Sequence, residues 1–316
     1  MYEQKEAIQN MIDWIEEHIC ETPSLMQMAE HIGYSPYYCS TMFHQITGMT
    51  VKRYVAGRRL RIAALALRDT DERIIDIAVR CGYSSQEAFT RAFQAAFGCT
   101  PAAYRKEPVP IPLSIRQVVL SPDFYRNRIG DISMNKPFLT EAHVKCEFIP
   151  AHNYLGVWED KARNYGEFWQ YHDCDSICGI IDSLSNVCDP IITGHTAGWY
   201  QINGERRYFY GTGVPADYSG RIPDNFEMRA FPGSYYLVFY HPAFDYLKDN
   251  GEVMGRVENL AWNFDIGSFG GGKYEWNEDL CQCYQRHYPE VLGYQVLRPI
   301  RLKQDICLCV CGNETI

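Results

Sequence analysis

Nowhere in the 316 residues is there an unbroken apolar run near the about 18 residues that a membrane-spanning helix needs. The opening stretch MYEQKEAIQN also lacks the basic-then-apolar order of a secretory leader. No membrane partner is expected, and the expected location is cytoplasmic. Paired Cys-x-x-Cys spacing is absent as well: Cys174 with Cys178, and Cys281 with Cys283, have no matching histidine set, so neither a metal nor a cofactor is expected. Thirteen cysteines are nevertheless present. Their odd number without a leader argues for reduced thiols rather than a disulfide framework. Cys307, Cys309 and Cys311 alternate with Leu308 and Val310, a strand-like pattern that reads as small hydrophobes in or near a core. Positive charge is scarce at the start, where residues 1–49 hold one Lys/Arg against seven Asp/Glu.

What is present is sharply divided. Residues 50–107 carry eleven basic and six acidic side chains, whereas residues 108–316 carry eighteen and twenty-six. The net charge of −9 therefore does not exclude a nucleic-acid partner, because the basic residues are concentrated where phosphates would lie. The acidic remainder suits neutral or cationic small molecules. Hydrophobic residues at 46% supply enough apolar material for two cores.

Ile8, Ile12, Ile15 and Ile19 recur at spacings of four, three and four, which predicts a helix ending before Thr22-Pro23. Ser24 then caps a short helix that Gly33 breaks, and Ser35-Pro36 starts another running to Ile46. That is a helix-turn-helix unit. About fifty residues later the pattern returns: Ile74, Ile77 and Ala78, a break at Gly82, a cap at Ser84 or Ser85, and a helix to Phe97. Both copies share Gly-Tyr-Ser and Phe-x-x-x-x-Gly-x-Thr in register, so the segment is an internal repeat. A helix from Thr50 to Arg68 joins them and is roughly 28 Å long. Recognition helices held that far apart suit successive major grooves on one face of double-stranded DNA, about 34 Å per turn.

These residues resemble the DNA-binding domain of the AraC/XylS family. The likeness is carried by Arg59-Leu60, Ala63, Ile74, Ile77-Ala78, Gly82-Tyr83, Phe89, Arg91, Phe93, Gly98-Cys99-Thr100-Pro101 and Tyr104-Arg105. It implies a ligand-responsive transcription regulator, with RNA polymerase as a further candidate partner. It also implies base contacts from Tyr37, Ser40 and Thr41 in the first recognition helix, where His44 is a further DNA-binding candidate, and from Ser85, Gln86, Thr90 and Arg91 in the second. Gln to adenine and Arg to guanine are bidentate pairings of the major groove. Arg53 and Arg58, on the long helix, are candidates for phosphate. Thr41 and His44 stand where the family usually has basic residues, so the second helix is expected to read sequence at least as strongly as the first. Tyr37 and Tyr38 divide evenly between base contact and packing.

Pro108, Pro110 and Pro112 exclude regular helix, and residues 108–140 read as a linker of which Val118, Val119, Leu120 and Phe124 dock on a domain. Beyond it, alternation at Val144–Ile149 and Tyr154–Trp158 predicts two strands, followed by a helical stretch near Glu167–Ile181 and strands at Ile191–Gln201 and Arg207–Gly211. A second round begins at Phe226, with a helix from Phe244 to Asn263 and a last strand at QVLRPIRLK. This doubled pattern resembles the GyrI-like effector-binding domain. The expected architecture is an all-α double helix-turn-helix domain over residues 1–107, followed by an α+β pseudo-symmetric GyrI-like domain over 141–316. The resemblance implies a cleft for a small hydrophobic or cationic effector, as in multidrug-binding regulators. Trp158, Trp199, Tyr200, Trp262, Trp276 and Tyr284 are candidates for its aromatic wall and Glu275 for a carboxylate, ahead of Glu278 and Glu227. Core packing is the competing role for each aromatic. Where the family often has a glutamate, this chain has Gln285. An enzymatic alternative, a GyrI-like small-molecule hydrolase, is the less favoured expectation.

Overall fold

The computed structural model describes residues 2–21, 23–120, 142–280, 282–289 and 292–303. They fall into two units, one holding the residues up to 120 together with Asp173–Asn186, the other holding 142–172 and 187–303. The helical unit begins with α1 (Tyr2–Glu17), α2 (Leu25–Ile32) and α3 (Pro36–Thr47), which share a core of Ile8, Ile12, Met28, Met42, Phe43 and Tyr54. The joining helix α4 (Val51–Asp69) leads to α5 (Ile74–Arg80), α6 (Gln86–Phe97) and α7 (Pro101–Lys106), around a second core of Leu67, Ile77, Phe89, Phe93 and Tyr104. Hydroxyl caps fix where the helices start: Ser24, Ser35, Thr50, Ser85 and Thr100 each accept a backbone N–H from the first turn. Gly48 and Gly98 close α3 and α6 at φ +73° and +75°. The two copies are offset by forty-nine residues through the first helix and the turn, Ala29 to Ala78 and Gly33 to Gly82, and by fifty from the second helix on, Phe43 to Phe93 and Gly48 to Gly98, because the second copy carries both Ser84 and Ser85. The structure gives the cap to Ser85.

Residues 108–120 are irregular, as their prolines require, but they do not hang free. Ile111 and Leu113 enter the second core, Val119 packs on the first, Ser114 O accepts from Arg58 and Arg116 pairs with Asp13. This stretch is a strap across both halves of the helical unit rather than a linker. Phe124 and the polar residues 131–136 lie outside the described residues. The helical region near Glu167–Ile181 is in fact two helices, α8 (Tyr165–Tyr171) and α9 (Cys174–Ser183). The expected domain boundary assigns both to the C-terminal domain, yet α9 belongs with the helical unit. Its Asp182 pairs with Arg61 at 2.5 Å, Arg68 donates to Ser183 O, and Gly179 lies so close to Leu113 that a Cβ would collide with that backbone.

The other unit is a single antiparallel sheet of β1 (His143–Ile149), β2 (His152–Glu159), β3 (Thr196–Ile202), β4 (Glu205–Pro215), β5 (Glu227–Phe231), β6 (Ser234–His241), β7 (Tyr274–Trp276), β8 (Gln282–Tyr288) and β9 (Gly293–Leu302). Its order is β1-β6-β9-β8-β3-β4-β2-β5, with β7 on β9. Exchanging β1 with β5, β2 with β6, β3 with β8 and β4 with β9 reverses this order onto itself. The doubled architecture is therefore real, and the halves meet where β3 pairs with β8. The helices α8 and α10 (Tyr246–Asn263) follow β2 and β6 at equivalent points. The sequence predicts no strand at β8, although it is one of the two central strands.

Candidate nucleic-acid interface and ligand cavity

The second helix of each helix-turn-helix copy presents a polar outer face because its apolar residues are used inward. On α3, Cys39, Met42 and Phe43 are buried, while Tyr37, Thr41 and His44 are exposed and Ser40 is half-buried. Tyr37 and Tyr38 part company here. Tyr37 is 83% exposed, whereas the Tyr38 hydroxyl accepts a 2.8 Å hydrogen bond from Gln4 and its ring lies on Tyr34. On α6, Phe89 and Phe93 face inward, Gln86 and Arg91 are exposed, Thr90 is half-buried, and Ser85 Oγ is engaged as the cap. Glu87 is exposed beside them. Its own backbone amide and the Ser85 hydroxyl hold the carboxyl below the usual value, so it is an anion at the helix start. Sequence reasoning passed over it, although a carboxylate there can accept from a cytosine amino group.

Arg53 is exposed, within electrostatic reach of Asp175. Arg58, the other phosphate candidate on this helix, is turned into the helical unit. Its guanidinium forms a bidentate pair with Glu16 at 2.7 and 2.8 Å and donates to Ser114 O at 2.6 Å, with only 11% of the side chain exposed. Burial alone would raise the Glu16 carboxyl, but hydrogen bonds from Arg58 and Tyr54 and the Arg58 charge outweigh it and leave it below the ordinary range. Arg58 therefore joins α1, α4 and the strap, which is a structural duty.

In the sheet unit, alternation sorts the aromatic candidates between two faces. Tyr200 and Tyr284 enter a packed core with Tyr154, Phe209 and Tyr236, and Trp158 lies against it beneath the Arg229 guanidinium. The face carrying Trp199 also carries Trp262 of α10, with ring centroids 5.2 Å apart, and Trp276 of β7, where Arg298 stacks at 3.5 Å. Glu275 is paired with Arg301 at 2.8 Å. Glu278 is exposed, and Glu227 pairs with Arg229.

A cavity of about 120 Å³ opens on the Trp199 face beside α10, and none of the predicted ligand residues line it. Tyr165 of α8, Tyr246, Asn250 and Met254 of α10, Tyr208 and Tyr210 of β4, Ala197 of β3, Gln285 and His287 of β8, and His195 surround it. The available signal was period two on β4 and on the central strand β8: Tyr208 with Tyr210, and Gln285 with His287. Beneath it runs a directed relay in which Tyr208 donates to Gln285, Gln285 donates to Tyr294 at 2.7 Å, and Tyr294 donates to Glu258 at 2.6 Å. Burial raises the Glu258 carboxyl above its ordinary value. Burial also lowers His287 to about 4, so the ring is neutral at pH 7 and donates from Nε2 to Asn250 Oδ1. No Asp, Glu, Lys or Arg lines the cavity. Four tyrosine faces and neutral polar groups suit a small amphipathic molecule, and a cation would be met by ring π-electrons.

Residues 28–107 match a family model described as helix-turn-helix domain. The chain is similar to the regulatory protein SoxS of Salmonella typhimurium, 42% identical over 101 residues that cover 32% of this chain and 94% of that one. It is 40% identical to the right origin-binding protein of Escherichia coli over 106 residues, covering 34% of this chain and 37% of the relative. A longer match, 39% identical over 241 residues, joins it to the transcriptional regulator Rob of Salmonella typhimurium and covers 75% of this chain and 78% of that one. An alignment of that length exceeds what the helical unit can supply. No helix among the described residues is long and apolar enough to cross a membrane.

Proposed function

This chain belongs to the AraC/XylS family of DNA-binding transcription regulators, and from that premise we propose that its sheet unit is a GyrI-like effector domain whose occupant changes how the helical unit engages DNA. The observation that carries the effector reading is the tyrosine-lined cavity, without Asp, Glu, Lys or Arg, on the sheet's α10-bearing face. Cavities of about 150 Å³ hold benzene, so about 120 Å³ accepts one ring-sized group, with the rest of a larger ligand emerging past Tyr165 and Tyr246. The ligand is a small hydrophobic molecule, and a cationic head on it gains from the ring faces. A hydrolytic role draws no support from Glu275, which is occupied by Arg301, and Glu258 does not line the cavity, its hydrogen bond running to Tyr294 and from there to Gln285.

Trp169 packs on Tyr210 at 4.8 Å and on Tyr165 at 5.7 Å, so its fluorescence reports on the lining. Titration of the full chain with an arylammonium and with its neutral carbon isostere should quench Trp169 in both cases, more tightly for the cation. Tyr246→Ala should weaken both by about tenfold, the loss of one large buried contact. Quenching that survives Tyr246→Ala unchanged, or its absence with both compounds, overturns the assignment of this cavity.

A further inference from the structure

Helix α9 carries a feature that neither DNA binding nor the cavity uses. Cys174, its first residue, and Cys178, one turn on, bring their sulfurs to 3.5 Å. Cys39 and Cys81, by contrast, have no exposed surface, whereas Cys174 is half-buried at a helix start. The sulfur–sulfur hydrogen bond lowers the Cys174 thiol below its ordinary value, against burial and the neighbouring Asp175 and Asp173 carboxylates.

We propose that Cys174 and Cys178 form an oxidant-responsive dithiol site, oxidised by hydroperoxides to an intrahelical disulfide that loosens α9 and weakens specific DNA binding. The Cys174 thiolate attacks a hydroperoxide oxygen, forming an S–O bond and breaking O–O, and the departing alkoxide takes up the proton released by Cys174. The Cys178 sulfur then attacks the sulfenic sulfur, forming S–S and breaking S–O, and the expelled hydroxide leaves as water with the Cys178 proton. Two thiols and one hydroperoxide become one disulfide, one alcohol and one water. Sulfurs at 3.5 Å must close to about 2.05 Å, and the two Cβ atoms must come to about 3.8 Å. Residues four apart in an unbroken helix are a full 6 Å apart along the axis by rise alone. The first turn of α9 must therefore deform.

That turn is where α9 is seated. Asp173 O accepts from Ile177 N at 3.2 Å and Asp175 receives the Gln117 amide of the strap at 3.1 Å, one turn before Gly179 meets Leu113. The strap packs on both cores of the helical unit, so disturbing its seat loosens the spacing of the two recognition helices. Binding of one helix-turn-helix copy at a time survives, while simultaneous engagement of two grooves suffers.

Full-length protein treated with hydrogen peroxide, alkylated under denaturing conditions and mapped by tandem mass spectrometry should show a Cys174–Cys178 linkage that dithiothreitol removes. Specific DNA affinity should fall about tenfold on oxidation and recover on reduction, within the usual range of coupling between sites. Cys174→Ser and Cys178→Ser should bind DNA like the reduced protein before and after peroxide. Should a serine variant fail to fold, Cys178→Ala replaces it. Alkylation of both thiols after peroxide overturns the proposal, as does an equal peroxide response in the variants.

Discussion

Two arginines that the sequence marks alike as DNA contacts are engaged differently, and the difference lies in their partners. Arg91 is exposed on α6 and makes no ion pair among the described residues, whereas Arg58 is locked to Glu16, forty-two positions earlier. Arg91→Ala should weaken specific DNA binding by about 1–3 kcal/mol with the urea midpoint unchanged. Arg58→Ala should cost about 3 kcal/mol of stability, because a half-buried carboxylate loses its counter-charge. Equilibrium unfolding beside a DNA-binding assay separates the two, and equal effects of both variants on both readouts would contradict the division. Glu16 adds a sign. Its folded carboxyl lies below the ordinary 4.5, so its stabilisation is complete above about pH 4.5 and fades as the pH falls through the folded value. Acid titration of Arg58→Ala should lack that component. The basic run on α4 was legible in the sequence, but which members it frees for phosphate was not, since Glu16, Asp182 and Ser183 reach α4 only through tertiary packing.

At the scale of elements, local grammar carried the helical unit. Each cap hydroxyl and each left-handed glycine acts on its own few neighbours, and the helices start where Ser24, Ser35, Thr50, Ser85 and Thr100 place them. The sheet unit was legible as a doubled pattern but not in its centre. β8 reads Gln-Cys-Tyr-Gln-Arg-His-Tyr, polar for a strand, because Gln282, Gln285 and Arg286 are buried by hydrogen bonding rather than by apolarity. Missing β8 meant missing the cavity: of the aromatic candidates, Trp158, Tyr200 and Tyr284 belong to the packed core of the other face, and Trp199, Trp262 and Trp276 share the cavity's face but gather at the Arg298 stack rather than in the lining. His287 of β8 supplies a test. Its folded value of about 4 lies below the ordinary 6.5, so stability from keeping it neutral is full above pH 6.5 and drains away as the pH falls toward 4. His287→Gln should flatten unfolding free energy across that window, and an unchanged slope would show that the ring is not held neutral by burial. In α9, Gly179→Ala forces a methyl against the Leu113 backbone and should cost about 1–3 kcal/mol, seen as a lower melting temperature of the full chain.

For the whole molecule, the charge division separates two kinds of recognition that one net value hides. DNA affinity should fall steeply with salt, since Arg and Lys in residues 50–107 displace counterions, while a ligand in a cavity lined by no Asp, Glu, Lys or Arg should bind almost independently of salt. If the two are coupled, linkage demands symmetry: the factor by which the arylammonium changes DNA affinity equals the factor by which DNA changes arylammonium affinity. Trp169 titrations with and without operator DNA give one factor, and DNA titrations with and without the arylammonium give the other. A coupling of about 1–3 kcal/mol predicts a shift of about 5- to 150-fold in both. A ligand that binds with one affinity whether or not DNA is present has no free energy to give to regulation, however tightly it sits. In that case the cavity would serve some purpose other than controlling the DNA-binding unit, and the proposed effector role would fall while the groove assignments on α3 and α6 stood.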